Sequence, residues 1–249
     1  MIQINDLHKS FGDTPVLRGL NLSIEKGEIT FIIGRSGGGK SVLIKLIIGL
    51  LKPDSGQILV DGHDIVPLGD HDLNRVRHRF GMLFQNAALF DSMTIGENIA
   101  FPLVTHTGLK EKEIEELVEQ KMAMVGLEGI QDKMPTEISG GMRKRAGLAR
   151  AIILEPEILL FDEPTTGLDP IMAEMIDDLI VQTQERTNVT SIVISHDIPA
   201  TLRIAHNVAM IYEGQIVTYG TPAQIQASDN HIVQQFLTGE GEGPMYLGD

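Results

Sequence analysis

Apolar and polar positions alternate in short, glycine-broken runs through the opening forty residues. Ile2-Gln3-Ile4, Val16-Leu17, Leu20-Asn21-Leu22-Ser23-Ile24 and residues 28–33 read as strands, with turns at Gly12, Gly19 and Gly27. The first three predict a small antiparallel β layer. Thr30-Phe31-Ile32-Ile33 is the pattern of a buried central strand, apolar on both faces. Residues 41–51 then carry a helix-compatible pattern, ended by Pro53-Asp54-Ser55-Gly56.

Between about Gln85 and Arg150 the period becomes helical. Ile114, Leu117, Val118, Met122 and Val125 recur at three- and four-residue spacing, with Glu111, Glu115, Glu116 and Glu119 mostly on other faces. This predicts an inserted helical subdomain over about 86–150. Strand character returns in Ile158-Leu159-Leu160-Phe161 and Ser191-Ile192-Val193-Ile194, separated by a helix near 173–185. Strands alternating with helices predict a parallel sheet. Residues 208–212 and 215–219, joined by Glu213-Gly214, read as a final hairpin, and the tail after Phe236 is rich in glycine and glutamate. No internal repeat and no extended low-complexity segment stands out.

At 249 residues the chain is long enough for one large α/β domain with a sizeable core. It has no cysteine, which excludes disulfides and thiolate metal sites and fits a reducing compartment. Met1-Ile2-Gln3-Ile4-Asn5-Asp6 has neither the basic nor the apolar region of a secretory signal, so a cytoplasmic location is expected. No window approaches the roughly 18 apolar residues that cross a bilayer, so at a membrane another chain must supply the span. The net charge of −14, from 20 basic and 34 acidic residues, repels phosphate backbones and anionic lipid over most of the surface. No nucleic-acid partner is expected. The run Arg143-Lys144-Arg145 reads most simply as an exposed, solvated face.

Gly34-Arg35-Ser36-Gly37-Gly38-Gly39-Lys40-Ser41 matches G-x-x-x-x-G-K-[ST] between a predicted strand and a predicted helix, the context that motif requires. Glycines let the backbone turn its N–H groups toward phosphate oxygens, and the helix N-terminus adds a favourable dipole. Lys40 is placed to reach the β- and γ-phosphates and Ser41 to bind Mg²⁺. A flexible glycine turn is the alternative, and the strand-loop-helix placement argues against it.

Asp162-Glu163 follows the buried run 158–161, at the strand end where open α/β sheets bind ligands. Asp162 is expected to hold Mg²⁺ through its waters and Glu163 to polarise the water that attacks the γ-phosphate. Alone, two acids after a strand read as a solvated loop; beside the phosphate loop they read as a hydrolytic pair. His196, directly after the last buried strand, is expected to contact the γ-phosphate, the alternative being a structural histidine. Ser139-Gly140-Gly141 precedes a helix starting near Met142 and offers a second set of anion donors. One loop already wraps one nucleotide, so a second cradle predicts a head-to-tail dimer with two ATP between copies; a serine-capped helix is the alternative.

These pieces, in this order, resemble the ATP-binding subunits of ABC transporters, through about Gln226. The resemblance implies an α/β fold: a P-loop NTPase core with a mainly parallel sheet, an N-terminal antiparallel β layer and the inserted α-helical subdomain. It implies a nucleotide-binding domain over 1–226 and a C-terminal extension over 227–249. It implies that Phe11 stacks on adenine, that Gln85 senses Mg²⁺ and contacts a membrane subunit, and that Asp169 lies in a loop crossing the dimer interface. Catalytic roles then fall to Glu163, His196, Lys40 and Gln85. The nucleotide-binding set becomes Phe11, Gly34, Arg35, Ser36, Gly37, Gly38, Gly39, Lys40, Ser41, Val42, Ser139, Gly140 and Gly141, with Ser41, Gln85 and Asp162 at the metal.

The family signature usually runs Leu-Ser-Gly-Gly-Gln; here it reads Ile138-Ser139-Gly140-Gly141-Met142, then Arg143-Lys144-Arg145. That variant, with Phe84-Gln85-Asn86-Ala87-Ala88-Leu89-Phe90, is similar to the ATPases of Mla/Mce lipid-transport systems. The similarity implies a homodimer under an MlaE-like permease at the cytoplasmic face of the inner membrane, with an MlaB-like regulatory subunit and an MlaD-like periplasmic ring. It also implies that residues 239–246 reach the opposite ATPase or its regulator, against the plainer reading of a disordered acidic tail. Two alternatives remain: an ABC ATPase for another small solute, and a soluble ABC ATPase working on ribosomes or DNA. The latter usually carries two cassettes or a coiled-coil insertion, and this sequence has neither.

Overall fold

Two long strands open the chain, β1 (Ile2–Phe11) and β2 (Thr14–Ile24), paired antiparallel with Ile2 opposite Ile24 and Ile4 opposite Leu22. The computed structural model describes residues 1–245. They form two compact units, one of Met1–Val76 with the chain from Ile192 onward, the other of Arg77–Ser191. In the first unit, the two short strands predicted over 16–24 are one. Gly19 sits at φ +76°, where a Cβ would lie 2.9 Å from Asp6 Oδ1, and the register shifts nearby, so the strand bends instead of ending. β3 (Ile29–Ile33) is buried along its whole length, as its apolar run predicted. α1 (Lys40–Ile47) stops well before Leu51, because Gly49 at φ +68° turns the chain under Leu73 before Pro53 is reached. β4 (Ser55–Val60) and β5 (His63–Asp64) complete an antiparallel sheet in the order β2-β1-β4-β5, and α2 (Asp70–Arg77) follows.

The second unit is built on β6 (Phe80–Leu83), paired parallel with β7 (Ile158–Asp162). Between them run α3 (Ile95–His106), α4 (Glu111–Met124), a 3-10 turn (Pro135–Glu137) and α5 (Gly140–Ile152). The start of α3 is closed by a reciprocal cap: Thr94 Oγ1 accepts from Glu97 N at 3.2 Å, and Glu97 Oε2 from Thr94 N at 2.7 Å. Asn98, fully buried, folds the preceding loop onto α3. Its Oδ1 accepts from Phe90 N at 2.7 Å, and its Nδ2 donates to the carbonyls of Phe90, Met93 and Thr94 at 3.0, 3.1 and 2.9 Å. α6 (Pro170–Thr187) begins at Asp169, whose Oδ1 caps the N–H groups of Ile171 and Met172, with proline at the first helical position. The core of this unit includes Leu83, Ile99, Leu148, Leu159, Leu160, Phe161, Ile176 and Ile180, each buried side chain worth roughly 1.5–3 kcal/mol.

β8 (Thr190–Ile194) straddles the division, and α7 (Ile198–Ile204) follows in the first unit. β9 (Asn207–Tyr212) lies parallel to β3, and β10 (Gln215–Gly220) folds back antiparallel on β9 through Glu213 and Gly214, at φ +46° and +78°. That hairpin is the predicted one. α8 (Pro222–Gln226) and α9 (His231–Thr238) follow. The glycine-rich segment after α9 doubles back: Met245 is buried and its N–H donates to Gln235 Oε1 at 2.7 Å, while Tyr212 OH donates to Pro244 O at 3.4 Å. Tyr246, the end of the extension predicted over 239–246, lies outside the described residues.

Candidate functional site

The loop between β3 and α1 owes its shape to its glycines. Gly34 leaves β3 at φ +147° and any Cβ there would strike the main-chain oxygen of Ile211, while Gly39 sits at φ +98° with a Cβ position 2.9 Å from Leu17 Cδ2. Only glycine fits at either place. Gly39 is also the N-cap of α1 and brings no side-chain cap, so no capping side chain competes with an anion for the first-turn N–H groups. Gly37, at φ +76°, has open space around it. Gly38 N donates back to Arg35 O at 3.1 Å and closes the turn. Lys40 is only 7% exposed; its Nζ donates to the carbonyls of Gly34 at 2.7 Å and Arg35 at 2.8 Å, so the cation lies across its own loop. Ser36 and Ser41 are exposed and Val42 is half-buried.

In the second unit β7 delivers Asp162 at its end, half-buried. Glu163 then takes φ +52°, a left-handed conformation unusual for a residue with a Cβ. Its Oε2 accepts from Thr166 Oγ1 at 2.7 Å, and its main-chain oxygen accepts from Thr166 N and from Lys144 Nζ, each at 3.3 Å. Lys144 is 5% exposed, and burial holds its pKa below the usual lysine value against the opposing pull of Glu163 and Asp162.

α5 starts at the Ser139 cap, whose Oγ accepts from Met142 N at 3.2 Å. Gly140 and Gly141 form its first turn, and a Cβ on Gly141 would strike the Met172 side chain. The basic run is not the solvated face that composition suggested. Arg143 Nη1 donates to Ile138 O at 2.8 Å, Lys144 reaches Glu163, and Arg145 Nη1 donates to the carbonyls of Val125 and Gly126 at 3.1 and 2.8 Å. Farther along, Arg150 donates to Ala87 O at 2.7 Å and Ala88 O at 2.8 Å, with its guanidinium 5.9 Å from the Phe90 ring centre. Ala87 and Ala88 both have left-handed backbones, φ +58° and +47°. Arg150 therefore holds in place a loop that would otherwise relax, directly after Gln85. Arg150→Ala is expected to lower unfolding stability by about 2–3 kcal/mol in urea titrations, with Arg150→Lys recovering part because it lacks the planar fork. A loss under about 0.5 kcal/mol for the alanine variant would remove Arg150 from this role.

The other predicted residues occupy exposed ends. Gln85 is exposed after β6, His196 after β8, and Phe11 ends β1 with Lys9 Nζ 5.6 Å from its ring centre. Lys9 is itself tied to Asp54 at 2.8 Å, and that lysine, with the Ser10 N–H, holds the Asp54 carboxyl below its ordinary pKa. Asp169 is exposed and spent on capping α6. The phosphate loop and His196 stand in the first unit; Gln85, Ser139, Asp162 and Glu163 stand in the second.

The family profile for ABC transporters matches residues 17–166, more than half of the chain and spanning the phosphate loop, the Ser139 helix and the acidic pair. The chain belongs to the ABC transporter family. Among relatives of this ATPase, an intermembrane phospholipid transport system ATP-binding protein, MlaF of Haemophilus influenzae, is 46% identical over 245 residues, 98% of this chain and 93% of that protein. A probable ribonucleotide transport ATP-binding protein, mkl of Mycobacterium tuberculosis, is 43% identical over all of this chain and 69% of that protein. Among solved structures, the dimeric post-hydrolysis state of the ATP-binding cassette MJ0796, bound to ADP and Pi, superposes with a TM-score of 0.82 at 28% identity, covering 89% of this chain and 99% of that one. The fold is thus the α/β P-loop cassette of the ABC ATPases, and the chain binds and hydrolyses ATP. Among the described residues no helix of this cassette is long and apolar enough to cross a membrane.

Sequence reasoning took Lys144 for part of a solvated face and passed over Arg150, Thr166 and Asn98. Lys144 and Arg150 act on backbone carbonyls 19 and 62–63 residues away, and a carbonyl leaves no mark in a sequence.

Proposed function

We propose that the chain powers phospholipid transport between the inner and outer membranes, as a homodimer bound to an MlaE-like permease. The observation that carries this reading is the 46% identity to an MlaF protein along nearly the full length of both chains. The mkl relative favours a second reading, ribonucleotide transport, at similar identity over a smaller share of that protein. An MlaB-like regulator and an MlaD-like ring complete the complex, and the ATPase sits peripherally at the cytoplasmic face of the inner membrane. Residues 1–226 serve as the nucleotide-binding domain and 227–249 as the extension.

In each site the loop of one copy receives the phosphates, with Lys40 exchanging the Gly34 and Arg35 carbonyls for β- and γ-oxygens. The N–H groups and hydroxyl around Ser139 of the other copy close over the same phosphates. Glu163 takes a proton from the attacking water as its oxygen bonds to the γ-phosphorus and the bond to ADP breaks, giving ADP and phosphate. His196 contacts the γ-phosphate, Phe11 stacks on adenine, and Gln85 links the site to the permease. The donor types suit Mg²⁺: a hydroxyl, Ser41, and a carboxylate, Asp162, with Gln85 as a further oxygen. Among the described residues no cluster of three His, Cys, Asp or Glu forms a closed metal cage, which accords with an ion held largely by phosphates and water. When bound, Mg²⁺ neutralises charge on the phosphate oxygens.

Because ATP touches both copies and ADP alone leaves the second cradle empty, ATP favours the closed dimer more than ADP does. The reading is tested by purifying the chain from native membranes and analysing what accompanies it. A polytopic permease, with ATPase activity stimulated by phospholipid, supports it; stimulation by ribonucleotides alone supports the second reading, and exclusive recovery with ribosomes contradicts both.

A further inference from the structure

α5 begins at Ser139, and little more than one turn later presents Lys144 to the residue after β7. A lysine 5% exposed is uncommon without a task, because burial penalises its charge. Among the described residues its hydrogen-bond acceptor is the Glu163 main-chain oxygen, at 3.3 Å. Glu163 stands at φ +52°, a conformation that neighbouring structure must impose. Thr166 supplies two of the restraints, its N–H on the same oxygen and its hydroxyl on the carboxylate at 2.7 Å, both from within the local turn. Lys144 adds a restraint from another element, α5.

We infer that Lys144 is a positioning residue for ATP hydrolysis: by gripping the Glu163 carbonyl it fixes the direction in which the Glu163 carboxylate leaves β7, and ties that direction to the helix carrying Ser139. With Cα already anchored by the end of β7, a hold on the carbonyl beyond it restrains rotation about N–Cα, the torsion φ that directs Cβ away from the strand. A shift of Ser139's helix on engaging a partner's nucleotide is thereby passed to the water-polarising group. The inference rests on the proposed role of Glu163.

The test uses the full chain with Lys144→Met, Lys144→Arg, Glu163→Gln and the Lys144→Met/Glu163→Gln pair. Lys144→Met, which fills the same space, is expected to lower kcat about tenfold while KM for ATP stays within about twofold, and Lys144→Arg to restore most of the rate. In the Glu163→Gln background the methionine change is expected to cause no further loss, whereas damage to packing would add. Melting temperature is followed throughout; if Lys144→Met does not fold, Lys144→Gln is read by the same criteria. A kcat for Lys144→Met within about twofold of the unaltered chain, or losses that combine in full with Glu163→Gln, overturns the inference. Undiminished turnover in Glu163→Gln alone removes the role of Glu163, and this inference with it; a Glu163→Gln loss beside an unaffected Lys144→Met overturns the inference only.

Discussion

Glu163→Gln is expected to bind ATP as the unaltered chain does and to turn it over about 10²–10⁴ times more slowly. Glutamine keeps the size of the side chain, and its amide oxygen can accept the Thr166 hydroxyl bond that the carboxylate accepts now. The Thr166 N–H and Lys144 hold the main-chain oxygen of this residue, which the substitution leaves in place, so the turn after β7 is preserved. What the substitution removes is the proposed base. With binding intact and hydrolysis stalled, the closed dimer accumulates, so an ATP-binding isotherm, a turnover assay and light scattering should report normal affinity, a collapsed rate and a doubled mass. An unaltered rate would take Glu163 out of the chemistry and leave Asp162 as the sole carboxylate at the end of the strand.

Lys40→Ala has the second large effect, and for two separable reasons. The ammonium now satisfies the carbonyls of Gly34 and Arg35 at 2.7 and 2.8 Å, so its loss leaves the empty loop short of two bonds. With nucleotide present it also removes the cation proposed to meet the β- and γ-oxygens, where charge builds as the bond to ADP breaks. Turnover is expected to fall by at least about 100-fold, with weakened ATP binding as well, in contrast to Glu163→Gln. Binding and turnover measured side by side separate the two variants.

Much of the candidate site is legible in the sequence because the phosphate-loop motif sets particular residues at fixed spacing. Gly34, Gly39 and Lys40 stand one after another on a strand-loop-helix path that a reader can trace, and Asp162-Glu163 ends an apolar run whose burial is plain. The hairpin at 207–220 is equally readable, since Glu213-Gly214 allows the turn such strands need. Boundaries were less readable. Gly49 rather than Pro53 ends α1, and Asp169-Pro170, a cap and first-turn signal, starts α6 ahead of the predicted 173–185. β6 is short and half-buried, and the pattern of residues predicts no element for it, for α8 or for α9. The least readable feature is the set of cations on α5. Arg143-Lys144-Arg145 is the same string whether it faces water or backbone carbonyls, and the carbonyls it meets come from elements whose approach only the fold determines.

The measurement that reaches the centre of the account mixes two inactive chains. If each site pairs Lys40 of one copy with Ser139 of the other, Lys40→Ala and Ser139→Ala variants are each impaired alone, but a mixed pair contains one site with both residues intact. Mixing equal amounts is therefore predicted to raise turnover well above either variant, toward about a quarter of the unaltered rate for random pairing. A mixture no more active than the average of its two components would contradict a site shared between copies.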